Sequence, residues 1–182
     1  MKPIYNILLS FFSIIVYSQN NFEQTVLKDF SINGYPLVFT KDKINCFEET
    51  VGKLSEVSNV DNEVAPFIGK KPDKIIENDK ISIYLFKNEG YVKYIDMEKG
   101  NLLLKYKNNM KFSSATTIEE FKKAFPKSYH SPSYIPGTPP ENAVGYTVVV
   151  NRKRKKAYLN FVFYYNHLTS VLISERHSQI TD

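Results

Sequence analysis

Five cations stand side by side in the C-terminal third of the chain: Arg152, Lys153, Arg154, Lys155 and Lys156, with Tyr158 just beyond them and Tyr164 further along the same run. Guanidinium and ammonium groups at this density attract anions such as a polyanionic polymer, a lipid headgroup or nucleic acid, and tyrosine rings can stack on flat groups such as bases. Lys70 and Lys71 beside Pro72 would enlarge the patch if the fold brought them near. The flanks supply a plainer explanation. In AYLNFVFYY, Leu159, Phe161, Phe163 and Tyr165 alternate with Tyr158, Asn160, Val162 and Tyr164, and the preceding VGYTVVV carries Val144, Tyr146, Val148 and Val150 on one side. Two such runs are expected to pair as antiparallel strands with the cations around their connection, where charge keeps a hairpin soluble and discourages edge pairing. If the cations do no more than that, neutralising Arg152 to Lys156 leaves the melting temperature nearly unchanged. No ribonucleoprotein sheet motif accompanies them, which places nucleic acid low among the anions.

Other chemistry is sparse. The histidines are His130, His167 and His177, and no pair of them has metal-ligand spacing. The sequence holds no glycine-rich phosphate loop, no G-x-S-x-G elbow and no H-E-x-x-H. Adjacent carboxylates at Glu48-Glu49 and Glu119-Glu120 fall in first helical turns, where the helix dipole explains them. The lone cysteine, Cys46, cannot pair within its own chain and reads as a small apolar side chain. No cofactor, metal or catalytic residue is therefore expected, although an active site assembled from distant residues would leave no motif.

The N-terminus reads as a secretory signal. MKPIYNILLSFFSIIVYSQ has Lys2, an apolar run from Ile4 to Val16, and Val16 and Ser18 at the −3 and −1 positions of a cleavage site before Gln19. The run is shorter than the roughly 20 residues that span a bilayer. Residues 1–18 are thus expected to be cleaved, leaving 19–182 as one exported domain, periplasmic or extracellular, without a transmembrane anchor. Net charge is +5 for the 182 residues and +4 without Lys2, a mild excess that identifies no partner. Absence of any Asn-x-Ser/Thr sequon, with heavy use of Asn, Lys, Ile, Tyr and Phe, points to a bacterial source.

The elements that must position these residues follow from periodicity and punctuation. DFSINGYPLVF predicts a hairpin turning at Asn33-Gly34, with the strand that holds Pro36 at an edge or starting late. KINCFEETVGK predicts a short helix capped by Asn45, with Glu48 in the capping-box position and Gly52 at its end. Residues 53–80 show no clear period and read mostly as loop with at most a short strand. ISIYLFK, YVKYIDM and NLLLKYK form a meander, turning at Asn88-Glu89-Gly90 and at Glu98-Lys99-Gly100. ATTIEEFKKAF is a second helix, capped by Thr116 or Thr117, with Ile118, Phe121 and Phe125 on one face and Pro126 ending it. PKSYHSPSYIPGTPPENA is a packed surface loop, and VGYTVVV, AYLNFVFYY and LTSVLIS are three strands joined by tight turns. Tyr84, Tyr94, Tyr106, Tyr158 and Tyr164 all fall on strands, where a shared open face would make a protein interface, although the two helices are more readily expected to cover that face.

The fold class expected is α+β: a twisted, mostly antiparallel sheet with two short helices packed on it. With its hairpin, its helix ending in TVGK, its meander and its TTIEEFKKAFP helix, the layout resembles that of small exported bacterial α+β domains of unknown function, some of them inhibitor-like or immunity-like. The resemblance covers most of the chain after the signal and implies no catalytic or binding residue. The expected function is a non-enzymatic binding module for a protein or envelope component. An anion-binding module using the 151–156 tip is the alternative, and an uncharacterised hydrolase the third.

Overall fold

The structure is a computed structural model that describes residues 22–57, 69, 71–107, 110–134 and 142–174. Residues 1–18, the expected signal, lie outside the described residues, as do Lys70 and His177. The fold is α+β, built on mostly antiparallel strands.

The three C-terminal runs of alternating apolar residues form long strands: β12 (Ala143–Arg152), β13 (Lys155–Tyr164) and β14 (His167–Ser174). Beyond β14 the large sheet continues through β8 (Glu89–Asp96), β7 (Ile81–Leu85), β6 (Lys74–Glu77) and β5 (Ser55–Val57). At its other end β1 (Gln24–Val26) runs parallel to β12, while β11 (Ser133–Tyr134) also pairs with β12 and β4 (Val38–Thr40) with β8. A smaller sheet has the order β10 (Met110–Phe112), β9 (Leu104–Tyr106), β2 (Phe30–Ile32), β3 (Tyr35–Pro36).

Asn33 and Gly34 join β2 to β3 with φ of 47° and 93°, the positive pair that a type I′ turn demands, and Pro36 lies on the outermost strand of the small sheet. The meander is only partly as expected. β7 and β8 pair, but the third run crosses into the small sheet as β9, because local alternation says a strand forms and not which sheet receives it. Gly90 belongs to β8 rather than to the preceding turn. A Cβ there would stand 2.7 Å from the ring of Phe39, which packs on its backbone from β4. The described residues among 53–80 hold two strands, β5 and β6, the first short and polar.

Helix α1 (Ile44–Val51) buries Phe47 and Val51 and ends at Gly52, whose N–H donates to the Glu48 carbonyl at 2.8 Å. Its start differs from the expected capping box. A 3-10 turn at Lys41–Lys43 leads straight into it, Asn45 lies inside it, and Glu48 instead accepts from the Leu54 N–H at 2.9 Å. Helix α2 (Ile118–Ala124) has the full capping box, Thr117 with Glu120. Pro126 then opens a third, one-turn helix, α3 (Pro126–Tyr129), because a ring at the first helical position removes only an N–H that would be unpaired anyway.

Phe121 and Phe125 hold the two sheets together. Phe121 contacts Tyr146 and Phe161 of the large sheet at ring separations of 5.0 and 5.1 Å, and Phe125 contacts Tyr106 and Phe112 of the small one at 4.9 and 5.7 Å. Rings at such separations add about 0.5–1.5 kcal/mol per pair beyond burial. The tyrosines therefore do not share an open face: Tyr84 and Tyr106 are in the core, Tyr94 and Tyr158 are half-buried, and Tyr164 is exposed.

Candidate functional site

The basic run is the tip of the β12–β13 hairpin, as its flanks predict. Lys153 and Arg154 form a two-residue turn with φ of 46° and 68°, so two residues with bulky side chains occupy the left-handed region that Asn and Gly normally take. Across the ladder Arg152 faces Lys155 and Asn151 faces Lys156. Lys153, Arg154, Lys155 and Lys156 are exposed. A methyl group added at Gly69 would stand 3.6 Å from the Lys155 Nζ, which places Gly69 beside the tip.

Arg152 departs from the rest of the run. Tyr146, Val148 and Val150 are buried on one face of β12, and strand alternation gives Arg152 that same face at the sheet's end. Its guanidinium crosses to β8, where Glu89 and Tyr91 project on a common side two residues apart. The Arg152 Nη2 donates to Glu89 Oε2 at 2.7 Å and the Nη1 donates to the Tyr91 hydroxyl, which in turn donates to Glu89 Oε1 at 2.6 Å. The guanidinium also lies over the Tyr91 ring, 4.8 Å from its centre. With side-chain exposures of 19% for Arg152 and 31% for Glu89, the pair is partly shielded from water.

This arrangement explains the titration of its members. Burial pushes the Glu89 carboxyl up, but the hydrogen bonds from Tyr91 and Arg152 and the charges of Arg152 and Lys153 outweigh it and hold the group below the usual carboxylate range. Burial, and then the hydrogen bond to Glu89, raise Tyr91 well above the ordinary phenol range, so it stays a neutral donor.

Beside Arg152 lies a groove of about 320 Å³. It forms where the chain passes twice between the sheets, at Val26, Leu27 and Lys28 on the way from β1 to β2, and at Pro36 and Val38 on the way from β3 to β4. Asn151, Arg152 and Lys153 complete the lining. Four lining residues are apolar, three are cationic and none is acidic. Among the described residues neither Lys28 nor Lys153 has an ion-pair partner.

Of the residues singled out by sequence, Arg152 and Lys153 line the groove, Arg154 to Lys156 stand beyond it on the tip, and Tyr158 is half-buried opposite Val149. Tyr164 is at the far end of the ten-residue β13, about 30 Å from the tip at strand rise, next to the exposed Tyr165. Tyr165 belongs to the turn rather than to the core face, with φ of 44°. Sequence reasoning missed Lys28, Glu89 and Tyr91. The only available signal was the parity that Arg152 shares with Val148 and Val150.

Cys46 is half-buried on α1, His130 follows α3 and His167 opens β14. Among the described residues no three His, Cys, Asp or Glu side chains converge as metal ligands, and no helix is long and apolar enough to cross a membrane. Comparison of the chain with protein families, curated proteins and solved structures gives no match.

Proposed function

We propose that the chain is a non-enzymatic, exported binding module for a protein or envelope component, and that its binding face is the end of the large sheet where the basic turn overlooks the groove. The observation that carries this is the lining: apolar side chains from two inter-sheet crossings beside three cations and no carboxylate. Apolar lining supplies affinity by leaving water, and a few fixed charges supply orientation, which is the usual division of labour in binding clefts. Export rests on the character of residues 1–18.

The alternative, a polyanion bound along the turn, is favoured by the exposure of Lys153, Arg154 and Lys156 together. The two differ in salt dependence, because a polyanion held by several cations is released steeply as salt rises whereas apolar contact is not. The test is a pull-down from an envelope extract at low and high salt. A partner retained at high salt and lost on Val38→Asp supports the groove. A partner lost at high salt and on Arg154→Ala with Lys156→Ala transfers the function to the turn. No specific partner under either condition refutes the binding-module reading.

A further inference from the structure

We infer that the groove is a site for a small amphiphile, an acidic headgroup of carboxylate or phosphate on a short apolar chain. This rests on the reading of the groove as the binding face. Its volume of about 320 Å³ lies at the lower end of small-molecule sites. The apolar lining, Val26, Leu27, Pro36 and Val38, offers nothing to a bare anion, while Lys28, Arg152 and Lys153 offer nothing to a neutral hydrocarbon. A ligand that satisfies both must carry both chemistries.

Arg152 is the fixed donor of the site. Glu89 and Tyr91 engage two of its five N–H groups and the Tyr91 ring lies beside it, so the fork is oriented before any ligand arrives. The carboxylate that neutralises it, Glu89 on β8, is not among the lining residues, so an anion in the groove meets two further lining cations, Lys28 and Lys153. The turn adds an independent sign. It keeps Lys153 at the groove in a left-handed conformation that Asn would adopt with less strain, and strain of this kind gathers at binding sites.

The test is calorimetric titration of the full-length chain with decanoate, decyl phosphate, decanol and inorganic phosphate, all below micelle-forming concentrations. Decanoate or decyl phosphate is expected to bind at least tenfold more tightly than either decanol or inorganic phosphate. Which of the two wins identifies the headgroup. Removing one methylene is expected to weaken binding about fourfold for each methylene that the groove buries. Lys28→Glu and Lys153→Gln, both at exposed positions outside the core, are each expected to weaken binding at least threefold with the melting temperature not lowered. Inorganic phosphate binding as tightly as decyl phosphate would overturn the inference, as would loss of neither variant's affinity. No binding of either amphiphile, with an envelope partner still captured through the groove, would overturn the inference and leave the binding module standing. A short peptide ending in a free carboxylate that binds where decanoate does not would replace the amphiphile with a polypeptide.

Discussion

Replacing Lys153 with Asn and Arg154 with Gly should stabilise the protein. The chain makes the same kind of turn at Asn33-Gly34, where φ values of 47° and 93° match the residues. At the basic tip nearly the same backbone, 46° and 68°, is imposed on Lys and Arg. The left-handed region costs such a residue roughly 1–2 kcal/mol, and Asn or Gly considerably less. Gly loosens the unfolded chain, which offsets about 0.4–1 kcal/mol of that gain. Removing two charges beside the Arg152–Lys155 pair relieves a few tenths more. The sum is a gain of about 1–2 kcal/mol, which for a chain of this size raises Tm by about 3–6 °C. Scanning calorimetry of the double variant checks it, with Lys153→Gln and Arg154→Gln as the control that removes the same charges but keeps non-glycine side chains in the left-handed region. An unchanged or lowered Tm for the Asn-Gly variant would refute the assignment of strain. An equal rise in the Gln control would show that charge, not backbone conformation, limits the turn.

Other expectations follow from the same structure. The Glu89 carboxyl is depressed in the folded state, so its contribution to stability is full above its ordinary pKa of 4.5 and is lost as pH falls through the folded value. Stability measured from about pH 6 down to pH 3 should show that loss, and Glu89→Gln should remove that part of the slope while lowering stability at pH 7 by about 1–3 kcal/mol. An unchanged acid slope in the variant would dissociate Glu89 from it. For the same reason Arg152 is the exception to the expectation that the basic run is dispensable: Arg152→Ala should lower Tm, whereas Lys156→Ala should leave it unmoved. Gly34→Val meets no neighbour within 4 Å, so its penalty is backbone strain alone, about 1–2 kcal/mol or somewhat more for a β-branched residue, read as a fall in the urea midpoint. Ser82 Oγ is buried without a hydrogen-bond partner among the described residues, so Ser82→Ala should be neutral or stabilising by up to about 1 kcal/mol, and a marked fall in Tm would reveal a bond that the geometry does not contain.

What sequence alone conveyed was local. The alternation in 143–174 and the pair Asn33-Gly34 specify strands and turns through contacts a few residues apart, so they were legible. The fate of Leu104–Tyr106 was not, since its pattern fits either sheet and the choice is made by Phe30 and Phe125 far along the chain. Residues 53–80 were read with at most one short strand where β5 and β6 both form, because a polar strand of three residues such as β5 leaves no apolar period. The start of α1 was misread because Asn45 and Glu48 mimic a capping box that the preceding 3-10 turn makes unnecessary. The basic run was visible as charge, but the division of labour within it was not. Arg152 is distinguished by a carboxylate and a phenol on β8, and the groove draws on three separate segments.

The parallel pairing of β1 with β12 has a temporal consequence. Gln24 lies against Val149, so about 125 residues must be made before the first strand can find its neighbour. At roughly 5–20 residues per second, that is a wait of about 6–25 seconds with one edge of the large sheet unformed and Leu27 and Phe30, just beyond β1, unable to reach their final packing. Closing so long a loop also slows the last step of folding itself. A chain with this order of strands can pair β5 through β8 early but completes its large sheet late, when its C-terminal hairpin arrives.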